Sequence, residues 1–159
     1  MITGRDGDPP LFVCQPPASW TTVLPAEQNL QDTRVPIMEW SIEGKVRVTL
    51  HTFPAIPKRI PPQAQIARWR RQLAPLEKEQ ITQQSFAGFF GLVWEGENQK
   101  TKVLAWSMLL GNEHLYTLWD RPRMQQDWTL KAEGDPASVN SRRDEIFNLA
   151  RSLEFVDEI

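Results

Sequence analysis

Cysteine and histidine are scarce in this chain: Cys14, His51 and His114 are all it has in 159 residues. A lone cysteine forms no internal disulfide, and one thiol with two imidazoles falls short of the four ligands of a structural zinc site. No apolar run approaches the ~18–20 residues that span a bilayer, so the chain is not expected to cross a membrane. There is no Gly-x-Ser-x-Gly, and the glycines at 88, 91 and 96 do not have the spacing of a phosphate-binding loop. An excess of positive charge is missing too. A net charge of −2 argues against a protein that works by neutralising phosphates, so nucleic acid is not an expected partner. The opening residues MITGRDGDPP lack the basic-then-apolar pattern of an export signal. Together with the absence of disulfides, that points to the cytoplasm.

Proline, tryptophan and strand alternation are what the chain does have. Most of the thirteen prolines fall before residue 76 and predict fixed bends in the first half. Residues 1–10 are polar and read as a flexible segment, leaving 11–159 as a single domain. LFVC at 11–14 reads as a short strand, stopped by Pro16 and Pro17, and 21–33 shows no clean period. Met38, Trp40 and Ile42, then Val46, Val48 and Leu50 across Glu43-Gly44, predict a hairpin with one wet face. Ile66, Trp69 and Leu73 fall on one face of a helix with Pro62 in its first turn and an end forced by Pro75. LEKEQITQQS reads as a polar lead-in.

The centre of the chain predicts a meander of three strands, FAGFFGLVWEG, TKVLAWSMLLG and EHLYTLWD. Both faces of 103–110 are apolar, so both are expected to be covered. Glu95-Gly96-Glu97-Asn98 and Gly111-Asn112 are the expected turns. After the loop DRPRMQQ comes a last strand with Trp128, Leu130 and Ala132 on one face. Asp135 as N-cap and Pro136 at the first helical position open a closing helix, with Val139, Ile146, Leu149, Ala150 and Leu153 as its stripe. The fold class is therefore α+β: an antiparallel sheet of about six to seven strands flanked by two main helices.

In this order the landmarks resemble those of the PsbP-like fold family, which includes the extrinsic photosystem II protein and the yeast Ran-binding Mog protein. They are Pro17-Ala18-Ser19-Trp20, Val46-Arg47-Val48-Thr49, Trp69-Arg70-Arg71-Gln72-Leu73, Tyr116-Thr117-Leu118 and the closing Ala150-Arg151-Ser152-Leu153-Glu154-Phe155, spread over about residues 11–156. The resemblance implies action through binding rather than catalysis, and some bacterial relatives serve as chaperones for type VI secretion effectors. No metal or cofactor position of the family has a match here.

Each chemical candidate has a structural counter-reading. His51 lies in phase with Lys45, Arg47 and Thr49 on the polar side of a strand, and His114 follows a turn, so solvation accounts for both. Cys14 sits among apolar residues without a charged neighbour to lower its pKa and reads as an inert thiol. Gly91, inside an apolar strand, marks a bulge or a close backbone approach, and Glu95 and Glu97 read as solvent contacts. Arg68 and Arg71 form the solvated face of the first helix.

Seven tryptophans are the compositional oddity. Trp69 and Trp106 read as core. Trp119 and Trp128 bracket Asp120-Arg121-Pro122-Arg123, and tryptophan with arginine is the pairing enriched at interface hot spots. Trp119, Arg121, Arg123 and Trp128 are thus the candidate binding residues, against the alternative of a loop capped by its own aromatics. The expected function is a non-enzymatic protein-binding module, a chaperone or adaptor, without a cofactor. Its partner would be another protein, a second copy of the chain included. The alternative is a small-molecule or lipid-binding protein with a pocket between sheet and helix. An enzyme would need the histidines or Cys14 to converge in one cleft.

Overall fold

The computed structural model describes residues 12–23, 34–56, 58–118 and 125–155, and in it the alternating segments join one seven-stranded antiparallel sheet. The strands are β2 (Thr21–Val23), β3 (Met38–Ile42), β4 (Val46–Pro54), β5 (Lys78–Phe86), β6 (Phe89–Glu97), β7 (Lys102–Leu110) and β8 (Gln126–Gly134). Their order across the sheet is β2-β3-β4-β8-β7-β6-β5. A small second ladder pairs β1 (Phe12–Val13) with β9 (Glu154–Phe155). Four helices are described: α1 (Pro62–Leu73), α2 (Asn112–Thr117), α3 (Pro136–Ser141) and α4 (Arg143–Ser152), of which α1 and α4 are the long ones. The α+β class and the seven strands are as expected from the sequence.

Two layers cover the sheet because its central strands are apolar on both faces. On one face Trp40, Leu50, Leu104, Trp106, Met108, Trp128 and Leu130 pack with Val139, Ile146, Leu149 and Leu153 in the main core. Each large side chain buried there contributes roughly 1.5–3 kcal/mol, which is why α3 and α4 stay docked. On the other face Ile66, Trp69 and Leu73 of α1 close a smaller core over Trp94, Val103 and Ala105. The i, i+3, i+7 stripe read from the sequence is the face that is buried.

The three-residue β3–β4 loop places Glu43 at φ 55° and Gly44 at φ 70°, and the Lys45 N–H donates to the Ile42 carbonyl to close the turn. Asp135 caps α3 as expected. Its carboxylate accepts the Ser138 N–H at 2.9 Å and the Ser138 hydroxyl at 2.6 Å, and these bonds hold the acid below its ordinary pKa.

Several boundaries differ from the sequence reading. Residues 86–96 are not one strand: Ala87 (φ 51°) and Gly88 (φ 84°) make a turn, and the polar segment before them is β5, a full nine-residue strand. Among its nine residues only Ile81 and Phe86 are apolar, five apart, so no alternation was visible. Residues 113–118 of EHLYTLWD do not form the expected third strand, and Trp119 and Asp120 lie outside the described residues. The Gly111 N–H donates to the Gly88 carbonyl and the Gly111 carbonyl accepts from His114 and Leu115, so the chain coils into α2 instead of reversing. β8 takes the place beside β7.

Asn98, whose side-chain oxygen accepts the N–H groups of Lys100 and Thr101, opens a β6–β7 turn over 98–101, three residues later than expected. The closing helix is broken at Arg142 (φ −109°, ψ 8°). Thr21–Val23, read as irregular, pairs with β3 as an edge strand. Of LFVC, Phe12 and Val13 form β1 and Cys14 lies past its end, while Leu11 and the 1–10 segment lie outside the described residues.

Candidate functional site

Helix α1 is narrower than the sheet it covers, and that mismatch creates the candidate site. Its apolar stripe is anchored over β6 and β7, with the Trp69 and Trp94 rings stacked at 6.2 Å. The Trp94 indole N–H donates to Glu79 on β5 at 2.8 Å, and the same carboxylate takes the Arg70 guanidinium. Those bonds hold Glu79 below its ordinary pKa, Arg70 first. Asn98 closes the other end of the helix by donating to the Leu73 carbonyl at 3.0 Å.

Beyond the first turn of α1 the sheet continues uncovered. Pro61 and Pro62 on one side, and Phe90, Leu92 and Leu109 on the other, wall an apolar trough of about 590 Å³ rimmed by Gln63, Gln83 and Ser85. Gly91 forms part of the trough, and a Cβ there would collide with the Ser107 carbonyl, so the close backbone approach expected at this glycine is present.

Strand β5 is the outer wall. It ends the sheet order, so one side of its backbone has no strand partner among the described residues, and none of its nine residues is buried. Register places Ile81 beside Trp94, Gln83 beside Leu92 and Ser85 beside Phe90, all facing the α1 side. Ile81 and Phe90 are each 44% exposed. On the opposite face Gln80 and Thr82 border a more polar hollow against Arg143 and Phe147 of α4. From Ile81 to Phe86 the edge carries neither charge nor proline, the devices that usually block an edge from further pairing.

The structure scatters the residues singled out from sequence. Trp128 is fully buried, its ring 6.1 Å from Phe86 and 5.8 Å from Phe89. It is a core side chain with no surface to offer a partner, because its face of β8 is the one beneath the helices. Trp119, Arg121 and Arg123 lie outside the described residues. His51 sits in the polar row of β4, with Nε2 3.0 Å from the Arg34 carbonyl. Burial first, then Arg68, Arg47 and Lys131, push its pKa down against the opposing effect of that hydrogen bond. His114 is exposed on α2 beside Gly88.

Cys14 packs half-buried against the main core, on the opposite side of the sheet from the His51 row, and burial raises its thiol pKa. Among the described residues no three His, Cys, Asp or Glu side chains gather where they could hold a metal ion. Nor does any helix there have the length and apolar character to cross a membrane.

Glu95 corrects another expectation. It is buried, not a solvent contact, and takes both Nε and Nη2 of Arg143 at 3.0 and 2.9 Å, while Arg143 also lies over the Phe147 ring. Sequence reading missed Ile81 and Phe90 because Phe90 was counted within a covered sheet. The usable signal was the polar run beside it.

No family model matches the chain, and no curated protein matches it. Among solved structures the fold is similar to that of LpqN, described as involved in cell envelope biogenesis of Mycobacterium tuberculosis. The TM-score is 0.55 at 13% sequence identity, over 96% of this chain and 88% of that one. At that identity the likeness is one of fold.

Proposed function

We propose that this protein is a non-enzymatic binding module, a chaperone or adaptor, that accepts an extended apolar segment of another protein along β5 and into the trough beside it. One observation carries the proposal: a nine-residue edge with an open backbone runs beside an apolar trough that exposes Phe90. An added strand takes its affinity from main-chain hydrogen bonds and its specificity from alternate side chains entering a pocket. Both parts are supplied together here. The opposite edge, β2, has only three residues, too few to pair with an extended segment over the same length. Membership of the PsbP-like family and a cytoplasmic location belong to the same proposal, and both fit a client that must be kept from aggregating before it reaches its destination.

Fluorescence anisotropy with labelled peptides of alternating Val/Phe and Ser tests the proposal. Saturable binding is expected, weakened at least about tenfold by Phe90→Glu and by N-methylation of alternate peptide bonds. Binding insensitive to both changes, or no binding, overturns it. Native mass spectrometry separates this from a small-molecule function for the same trough: a retained low-mass ligand that Phe90→Glu releases would favour the latter.

A further inference from the structure

A second hollow lies on the other flank of α1, above β4 and β8. Its floor is the outward row of two paired strands, where register sets Arg47 beside Glu133, Thr49 beside Lys131 and His51 beside Thr129. Arg68 and Gln72 of α1 form one wall, and Phe53 and Ile60 border it too. The cavity measures about 370 Å³, inside the ~300–1,000 Å³ range of small-molecule sites.

The charges in this hollow do not cancel. Arg34, Arg47, Arg68 and Lys131 line it with one carboxylate, Glu133, which stands 3.8 Å from Lys131. Glu39 reaches Arg47 at 2.9 Å from the neighbouring strand. Arg34 apart, the cations Arg47, Arg68 and Lys131 face Glu133 and Glu39, so among the described residues a surplus of positive charge remains. Arg68 pairs with no carboxylate among the described residues. The crowding registers on both titratable bases. Lys131 and His51 are each held below their ordinary pKa, by burial first, with Arg68 and Arg47 pressing the same way.

Cations gathered over a partly dry floor repel one another, and an acid group placed among them relieves that repulsion. Guanidinium groups suit the task because their forked donors match the paired oxygens of a carboxylate or phosphate. Phe53, stacked on His51 at 6.4 Å, and the exposed Ile60 supply apolar surface beside the charges. We propose that this hollow binds a small organic anion with an acid head and an apolar body. Arg47, Arg68 and Lys131 hold the head, and Phe53 and Ile60 receive the body. The site is separate from the trough, and the proposal does not rest on the protein-binding function.

Isothermal titration calorimetry at low salt, with 1-naphthoate, laurate, inorganic phosphate and neutral 1-naphthalenemethanol as probes, tests it. Saturable binding of at least one of the two organic acids is expected below about 1 mM. The neutral alcohol and free phosphate should each bind at least about tenfold more weakly than that acid. A preference for laurate identifies a lipid-like chain and a preference for naphthoate a compact ring; either supports the proposal. Arg68→Glu, at an exposed position, should weaken binding at least about tenfold with an unchanged melting curve, and Lys131→Gln should weaken it in the same direction. Phe90→Glu should leave it unaltered, which separates this site from the trough. No saturable binding of either acid, phosphate binding as well as both acids, or affinity unmoved by Arg68→Glu overturns the proposal.

Discussion

Strands β7 and β5 are both nine residues long and belong to one sheet, yet seven residues of β7 are buried and none of β5 is. The difference comes from what each strand can offer its two faces. β7 presents Leu104, Trp106, Met108 and Leu110 to the main core, and Val103 and Ala105 to α1. β5 presents mainly glutamine, threonine and serine, and α1 reaches it through the Arg70–Glu79 ion pair rather than through a buried apolar contact. Its contribution is main-chain pairing with β6 along the full strand, with little side-chain burial. A central strand of this kind sets stability, whereas the uncovered edge is free to be used for binding.

The largest expected effect is in the buried half. Trp128→Ala should cost about 3–5 kcal/mol in urea denaturation. Trp128→Phe should cost less, about 1–2 kcal/mol, because the indole N–H has no hydrogen-bond acceptor to lose.

Next is Asp127, which binds both the segment before α1 and the end of β7. Its carboxylate accepts Arg59 Nη2 at 2.6 Å, Arg59 Nε at 3.0 Å and the Leu110 N–H at 2.8 Å. Asp127→Ala strands a partly buried guanidinium and a buried amide, for a loss of about 3 kcal/mol by chemical denaturation. A loss under about 1 kcal/mol would mean that this clamp is dispensable.

A smaller effect is expected from pH. Burial holds His51 below its ordinary value of 6.5. The unfolded chain therefore takes up a proton at higher pH than the folded one, and stability falls as pH drops through about 6.5 until the folded value is passed. His51→Gln should flatten that slope in melting temperatures measured from pH 7 to 5. Parallel curves for the two proteins would contradict the stated cause.

The smallest effect belongs to the edge. Thr82→Lys and Gln83→Lys should change stability by no more than about 0.5 kcal/mol. Hydrogen exchange should find the β5 amides faster than those of β8. If β5 proves as protected as β8, or its substitutions unfold the protein, the division between a load-carrying centre and a free edge fails.

Much of the fold was legible because burial leaves a period in the chain. The stripe Ile66, Trp69 and Leu73, the alternation through 38–50 and 103–110, and the Asp135-Pro136 start each depend on neighbours a few residues away. Elements without an apolar face left no such trace: β5 was read as a polar lead-in, and Leu115 and Leu118 passed for strand residues, whereas Leu115 lies in α2 and Leu118 just past its end. Candidate binding residues fared worse for the same reason. Trp128 has the chemistry of a hot spot, and only knowing which face the helices cover shows that it is core.

From its residues alone the chain determined an α+β domain with an antiparallel sheet, a dry centre and helical cover, since local periods decide which side chains must leave water. Tertiary structure decided where that cover stops. Helix α1 leaves the β5 edge open on one flank, and on the other it carries Arg68 over the row of Arg47, His51 and Lys131. Both outcomes depend on contacts between segments far apart in the chain, which no spacing within a single segment records.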